Sequence, residues 1–163
     1  MKHRELDRDR LRQVLSYDPK TGVFTWARSS SRSIAGNVAG VGCHGYVKIW
    51  IDDRRYYAHR LAWLYVTGEW PTGMIDHING SKNDNRFSNL RQATPSQNLG
   101  NSKRQKRNTS GFKGVSRSRG GWQVCISADG KRRFLGRFDT LADAHAAYVL
   151  AAEKLYGEFA RCK

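Results

Sequence analysis

The sequence predicts an α+β protein of two small domains, residues 1–100 and 111–163, joined by a basic linker at residues 101–110. Short strand and helix patterns alternate along the first hundred residues. The linker has no apolar side chain, so it cannot contribute to a hydrophobic core. After it, three strand-like pieces precede a single helix, which is the pattern of a small sheet packed against one helix.

The first domain is predicted from local patterns of apolar and turn residues. Apolar side chains at helical spacing indicate a short amphipathic helix over residues 6–15, and a second helix begins at His59 and ends at Gly68. Between them we expect, in chain order, a turn at 18–22, a strand at 23–26, a loop at 29–45, and a hairpin with strands at 46–51 and 55–57 around Asp52-Asp53.

The second domain is predicted to end in a long helix. Its strands lie near residues 112–116, 121–127 and 131–137. The helix begins at Thr140 and stops at Gly157, with Asp143 completing a capping box. An apolar stripe rich in alanine would let this helix lie close to a small sheet. The stripe consists of Leu141, Ala144, Ala147, Tyr148, Ala151 and Leu155.

Charge and hydropathy narrow the classes of function. A formal net charge of +15 and a pI near 10.2 predict attraction to a polyanion, either nucleic acid or an anionic membrane surface. The longest apolar run, residues 61–66, is too short to span a bilayer, and residues 1–5 lead into no apolar signal sequence. We therefore expect a nucleic-acid partner. Residues 102–137 are the best candidates for phosphate contact, because Asp129 is their only acidic residue.

The cysteines and one histidine carry little functional signal. Cys43, Cys125 and Cys162 lie far apart and form no Cys-x-x-Cys pair, which suits a reducing compartment. They predict neither a disulfide framework nor a thiolate zinc site. His44, beside Gly45 in a loop, is expected at the surface.

A candidate active site lies between residues 75 and 98. Residues 75–80 suggest a strand that ends in a turn, followed by a polar loop and a second strand. Thr94, Pro95 and Gln97 form a strong helix start. Asn98 would then lie in the first helical turn, so we expect its side chain to converge with those of Asp76 and His77.

The chemistry of these three side chains suits phosphodiester hydrolysis. An imidazole titrates near neutral pH, so His77 could take a proton from water. Asp76 and Asn98 offer hard oxygen ligands, which favour Mg²⁺ or Mn²⁺ over zinc. Water and phosphate oxygens would fill the remaining metal positions. For His59, both a packing role and an active-site role stay open.

Asp76-His77, Asn89 and Asn98, at spacings of twelve and nine residues from His77 onward, resemble the ββα-metal motif of HNH nucleases. The likeness is strongest to the phage and homing-endonuclease branch, where the last histidine is replaced by asparagine. The phrase His59-Arg60-Leu61-Ala62-Trp63 is similar to the helix ahead of the motif in phage members. The resemblance implies that His77 is the general base, that Asp76 and Asn98 hold one divalent metal, and that Asn89 braces the loop.

The second domain resembles the AP2 domain of plant transcription factors, which also occurs attached to phage HNH nucleases. The likeness rests on Gly111-Phe112-Lys113-Gly114-Val115, residues 122–126, residues 134–138 and residues 144–148. It implies a three-stranded antiparallel sheet that enters the major groove while one helix packs behind it. Two plant arginines align with Ser116 and Ser118, so base specificity does not carry over.

The predicted DNA-binding residues combine this resemblance with the local charge pattern. Guanidinium groups suit phosphate contacts and guanine readout. Trp122 and Phe134 fit core packing as well as DNA contact. The predicted set is Lys103, Arg104, Lys106, Arg107, Lys113, Arg117, Arg119, Trp122, Arg132, Arg133 and Phe134, with Lys131 in the same charged cluster.

Together these features predict a metal-dependent DNA endonuclease whose second domain holds the DNA near the catalytic domain. One active site per chain predicts a monomer that nicks one strand of double-stranded DNA, with no membrane or protein partner. The resemblance implies a phage or prophage gene acting in the bacterial cytoplasm. A non-catalytic DNA-binding regulator is the alternative, and an RNA-binding protein is a weaker one.

Overall fold

The computed structural model describes residues 6–162 and shows a mixed α and β protein with several small sheets. The chain divides into two compact units, Met1–Gln92 and Ala93–Lys163. The predicted mixture of helices and small sheets is therefore confirmed. This division falls eight residues before the predicted end of the first domain, while the division into domains of distinct function stays a prediction. No helix within residues 6–162 is long and apolar enough to cross a bilayer.

From residue 6 onward, the first unit contains two helices and three small sheets. Its elements are α1 (Arg8–Val14), β1 (Leu15–Asp18), β2 (Val23–Trp26), β3 (Val41–Cys43), β4 (Tyr46–Ile51), β5 (Arg54–Tyr57), α2 (Ala58–Thr67), β6 (Met74–His77), a 3-10 turn (Phe87–Asn89) and β7 (Leu90–Ala93). The sheets are β1-β2, β3-β4-β5 and β6-β7, and the last residue of β7, Ala93, is the first residue of the second unit.

Most predicted elements of this unit are present, and two strands were not predicted. The region 29–45 was expected to be a loop, but it contains β3, which pairs with β4. Helix α1 ends at Val14, so Leu15 begins β1 instead of continuing the helix. The Asp52-Asp53 turn has positive φ at both residues, as a tight hairpin with this twist requires.

The core of the first unit lies under helix α2. The buried face of this helix carries Ala58, His59, Leu61, Ala62 and Leu64, and Gly68 ends it in the left-handed conformation at φ 88°. The helix therefore presents one histidine to the interior among apolar side chains. Because desolvating an imidazole is unfavourable, a buried histidine in an apolar face calls for a specific explanation.

The second unit is a three-stranded antiparallel sheet with a long helix against it. Its elements are α3 (Pro95–Asn101), β8 (Val115–Ser118), β9 (Gly121–Ala128), β10 (Lys131–Phe138), α4 (Leu141–Tyr156) and a 3-10 turn (Gly157–Phe159). Strand β9 is central, with β8 and β10 paired on either side. Thr140 caps α4 and Gly157 ends it, as predicted. The predicted capping box is not completed, because the Asp143 carboxylate accepts from the Thr140 hydroxyl instead of from the Thr140 backbone N–H.

The buried stripe of α4 differs in part from the predicted one. Its fully buried residues are Ala144, Tyr148, Ala152 and Tyr156, each four positions apart, while Ala151 and Leu155 are only partly buried. They pack with the even-numbered side chains of β9, Val124, Ile126 and Ala128. Tyr148 and Tyr156 determine which side of the helix is buried, because their rings fill more of the space above the sheet than alanine does.

Gly114 lies against the Tyr148 ring, so a substitution at this position tests the packing. A Cβ at Gly114 would lie 2.2 Å from the ring and 2.5 Å from the Cys125 carbonyl oxygen, at φ +72°. We expect Gly114→Ala to lower the free energy of unfolding by about 3 kcal/mol, through overpacking added to left-handed strain. Urea denaturation of the whole chain measures this.

Gly111→Ala is the matched control. Gly111 also has positive φ, at +85°, but no atom lies within 4 Å of the position that a Cβ would take there. The free energy of unfolding of Gly111→Ala should fall by about 1 kcal/mol, from left-handed strain alone. Equal losses for the two variants would contradict the packing of Tyr148 on Gly114.

Candidate active site

Asp76 and His77 end strand β6 and are both buried, with 4% and 5% of their surfaces exposed. The Asp76 carboxylate accepts a hydrogen bond from Arg91 Nε at 3.0 Å, and this ion pair is shielded from solvent on both sides. Because a buried carboxylate is costly without a cationic partner, the Arg91 guanidinium compensates the burial of Asp76. It also fixes the orientation of the carboxylate.

The surroundings of His77 favour its neutral form. Burial lowers its pKa, while a side-chain hydrogen bond with Asn85 and the charge of Asp76 act in the opposite direction. A neutral imidazole has one nitrogen lone pair that can accept a proton. The ring can therefore act as a base at neutral pH.

Asn89 joins the two ends of the loop that follows β6. Its side-chain oxygen accepts from the backbone N–H of Asn79 at 3.0 Å, and its Nδ2 donates to Asn79 Oδ1 at 3.1 Å and to the Asp84 carbonyl at 2.9 Å. Its own carbonyl accepts from the Ile78 N–H at 2.9 Å. A single buried amide therefore ties the turn after His77 to the middle of the loop and to the start of β7.

An ion pair and a tyrosine hold the rest of this loop. Asp84 receives two hydrogen bonds from Arg86, at 2.8 and 2.6 Å, and this guanidinium lowers the pKa of Asp84 to about 2. The Tyr17 hydroxyl donates to the Asn85 carbonyl at 2.7 Å. Gly22 approaches so closely that a Cβ there would lie 2.4 Å from the Arg86 nitrogen. The β1-β2 hairpin thus packs directly on the loop beneath His77.

An aromatic cluster surrounds His77 within the first unit. The His59 ring lies 5.1 Å from the His77 ring in an edge-on arrangement, and Tyr46 lies 6.2 Å from His77. Tyr46 and Tyr57 contact His59 at 5.5 and 5.3 Å. Burial lowers the pKa of His59 to about 3, with smaller contributions from the charges of His77 and Arg60. His59 is therefore neutral across the physiological range.

Asn98 lies in helix α3 of the second unit and is partly buried. Thr94 and Gln97 form the predicted capping box, with both reciprocal hydrogen bonds present, at 2.8 and 3.2 Å. The helix start is therefore confirmed. The convergence of Asn98 with Asp76 stays a prediction, since the two residues belong to different units.

The donor set fits a hard divalent cation. A carboxylate and an amide oxygen are ligands that Mg²⁺ or Mn²⁺ accepts, and Mg²⁺ commonly keeps several waters beside one or two protein ligands. Within the described residues 6–162, no three His, Cys, Asp or Glu side chains group closely enough to hold an ion by themselves. The Arg91 contact resembles the outer hydrogen bond that orients a metal-binding carboxylate.

The predicted DNA-binding residues of the second unit are mostly exposed. Phe134 has 60% of its surface exposed, whereas Trp122 is half-buried against the core and lies 5.8 Å from the Arg117 guanidinium. The solvent-exposed members are Lys103, Arg104, Lys106, Arg107, Arg117, Arg119, Arg132, Arg133 and Phe134. These side chains are available to a polyanion.

Lys113 is placed differently from the other predicted contacts. Its ammonium donates to the carbonyls of Leu99, Gly100 and Ser102 at 3.0, 2.7 and 2.9 Å, and burial lowers its pKa to about 8. An ammonium has three N–H donors, and these carbonyls take all of them. This geometry favours a structural role at the end of α3 over a contact with DNA.

Sequence reasoning missed Arg91, Asn85 and the tyrosines around His59. Arg91 had a detectable signal, since pairing residue 78 with residue 89 in a hairpin puts position 91 opposite position 76. Asn85 and Tyr46 had none, because their proximity to His77 arises from the loop path and from a separate sheet.

The strand, braced loop, strand and capped helix follow one another in chain order with a buried Asp-His pair at the first strand end, which is the organisation of an HNH-type nuclease site. Residues 56–99 match the HNH endonuclease family. Protein 3.8 of Escherichia phage T7 is 38% identical over 106 residues, which cover 63% of this chain and 87% of that protein.

A second relative is named an uncharacterized HNH endonuclease of Acanthamoeba polyphaga mimivirus. It is 34% identical over 123 residues, which span 74% of this chain but only 63% of the viral protein. No solved structure matches the chain significantly. The chain belongs to the HNH endonuclease family, and the prediction that it is a DNA endonuclease is confirmed at that level.

The Asn89 brace can be tested by substitution. Asn89→Ala removes three partly buried hydrogen bonds to Asn79 and Asp84, so we expect a loss of about 3 kcal/mol in the free energy of unfolding. Chemical denaturation followed by tryptophan fluorescence measures it.

Asn83→Ala in the same loop is the control. Asn83 is exposed, and among the residues that the structure describes its side chain accepts only from the Ser81 hydroxyl. The free energy of unfolding of Asn83→Ala should fall by about 0.5 kcal/mol or less. If Asn89→Ala were as mild as this control, the loop would not depend on the brace.

Proposed function

We propose that this endonuclease depends on a divalent metal and hydrolyses phosphodiester bonds of double-stranded DNA, with His77 as its general base. The observation that carries the proposal is the buried Asp76-His77 pair at the end of β6, with Arg91 on the carboxylate and the Asn89 brace behind it. A regulator that only binds DNA has no need of a buried imidazole beside a buried carboxylate.

The proposed reaction adds water across one phosphorus–oxygen bond. The neutral His77 ring accepts a proton from water, and the oxygen that remains attacks phosphorus. The bond from phosphorus to one sugar oxygen breaks, and that oxygen takes up a proton, so that a hydroxyl end and a phosphate-monoester end are formed. Asp76 and Asn98 would hold the Mg²⁺ or Mn²⁺ ion, which when bound supplies positive charge against the charge that develops on the phosphate.

We further propose that the enzyme acts as a monomer and nicks one strand. A single Asp76-His77 pair per chain supports this proposal, since two strand cuts at one position require two active centres or two successive events. The likeness to a protein of Escherichia phage T7 supports action in the cytoplasm of an infected bacterium.

The second unit is proposed to recognise DNA in the manner of an AP2 domain. Arg132 and Phe134 pair with Ser127 and Cys125 of β9, so they share the sheet face opposite to the one that packs on α4. Arg133 pairs with the buried Ile126 and therefore starts from the other face. A basic and aromatic sheet face suits phosphate contact with base stacking or groove insertion.

The basic segment 101–110 is proposed to lie along the DNA backbone. Lys103, Arg104, Lys106 and Arg107 are exposed there. Tethering the DNA through this segment and the sheet would raise its local concentration at a weakly binding catalytic centre.

The general-base assignment predicts the effect of His77→Ala on plasmid nicking. Supercoiled plasmid incubated with the wild type and Mg²⁺ should accumulate nicked circles, and His77→Ala should slow this by about 10³-fold or more, because no other group takes the proton. The affinity of the variant for DNA should stay near that of the wild type in a mobility-shift titration.

Removing divalent ions with EDTA tests the metal requirement independently of His77. EDTA should stop nicking by the wild type, and added Mg²⁺ or Mn²⁺ should restore it; nicking that survives EDTA would remove the metal from the proposal. Lost DNA affinity in His77→Ala would instead mean that His77 is structural. Undiminished nicking by that variant would overturn the general-base assignment.

The sheet-face assignment predicts a change in salt dependence. Arg132→Ala should weaken DNA binding and reduce the slope of log K against log [salt] by about 0.9, the value for one lost phosphate contact. Lys154→Ala, an exposed lysine in the last turn of α4, is the control and should leave the slope unchanged. An unchanged slope for Arg132→Ala would move the binding surface elsewhere.

A further inference from the structure

His59 is buried beside the proposed general base, and nothing in the proposed reaction uses it. Only 8% of its surface is exposed, and its Nδ1 atom is fully buried with no hydrogen-bond partner among the described residues. Native proteins rarely leave a buried polar atom in this state, and a ligand or a catalytic role is one of the explanations for such an exception. The residue therefore calls for a functional explanation.

The burial of Nδ1 determines where the ring proton sits. A neutral imidazole carries its proton on one nitrogen and a lone pair on the other. An orphaned N–H is rarer and costlier in protein interiors than an orphaned acceptor. The buried Nδ1 of His59 should therefore hold the lone pair, which makes Nε2 an N–H donor.

The charges around His59 indicate which ligand this donor serves. The Tyr57 ring, stacked on His59, carries the Lys48 ammonium 4.7 Å from its centroid, and the Tyr46 ring, also in contact with His59, carries the Lys82 ammonium at 4.7 Å. Two ammonium groups on the rings that enclose one histidine favour an anion such as a phosphate over a cation at His59 itself. The ligand class is therefore an anionic phosphodiester.

The position next to His77 indicates which phosphodiester. The two imidazole rings are 5.1 Å apart, so a group bound at His59 lies within reach of a water that His77 deprotonates. We propose that the Nε2–H of His59 donates a hydrogen bond to a non-bridging oxygen of the scissile phosphate, with Lys48 and Lys82 drawing the DNA strand to it. This inference rests on the proposed nuclease reaction.

Two variants separate phosphate binding from ring packing. His59→Phe keeps an aromatic ring among Tyr46 and Tyr57 but removes the donor, whereas His59→Gln loses the ring but retains an N–H near the position of Nε2. Single-turnover nicking of supercoiled plasmid with Mg²⁺ should fall by about 10²-fold in His59→Phe, as on loss of one donor to a developing oxyanion, and by about tenfold or less in His59→Gln. A packing role predicts the reverse order.

The controls run on the same preparations. DNA affinity in EDTA and the thermal midpoint are measured for both variants, so that rates are compared between folded chains that bind DNA. His77→Ala is assayed alongside. If it also nicks at the wild-type rate, the proposed function fails; if only His59→Phe does, this inference alone fails.

A second readout needs no catalysis. In ¹⁵N-labelled His77→Ala protein with EDTA, the ring shifts of His59 should show the proton on Nε2, and the Nε2 signal should move when a short DNA duplex is added. A proton on Nδ1, or a His59 signal that the duplex leaves in place, would overturn the proposal.

Discussion

The candidate active site depends on the hydrogen bonds of one buried asparagine. The loop after β6 is polar and has few apolar side chains with which to form a core, so burial alone cannot order it. Asn89 supplies one acceptor and two donors from a rigid amide, and it uses all three between Asn79 and Asp84. Aspartate offers no donor, and serine is too short to span both ends. The amide therefore fixes the strand end that carries His77.

Local signals in the sequence were enough to predict much of this architecture. The capped start of α3, the extent of α4, the tight Asp52-Asp53 turn and the left-handed end of α2 each depend on a few neighbouring residues with strong conformational preferences. The Asp76-His77 pair was likewise found from a motif within one short segment. Elements that depend on interactions between neighbouring residues could therefore be predicted from the sequence.

Interactions between distant segments were harder to predict. Strand β3 has no strong strand pattern of its own and forms because β4 offers it a partner. The contact between His59 and His77 joins two elements eighteen positions apart, and neither one predicts the other. Lys113 looked like a surface cation because its neighbours are polar and basic, yet the three carbonyls that hold it come from a helix end more than ten residues earlier.

Those carbonyls bear on where recombination could divide the chain. Helix α3 is secured within the second unit, since Lys113 holds its last carbonyls, the backbone of Arg161 bonds to Gly100, and the Tyr156 ring leaves no room for a side chain at Gly100. A recombination joint placed in the polar segment 101–110 would separate α3 from all three. A chimera that keeps these contacts has to change parents before α3 begins at Pro95, so the helix bearing Asn98 would be inherited with the second unit.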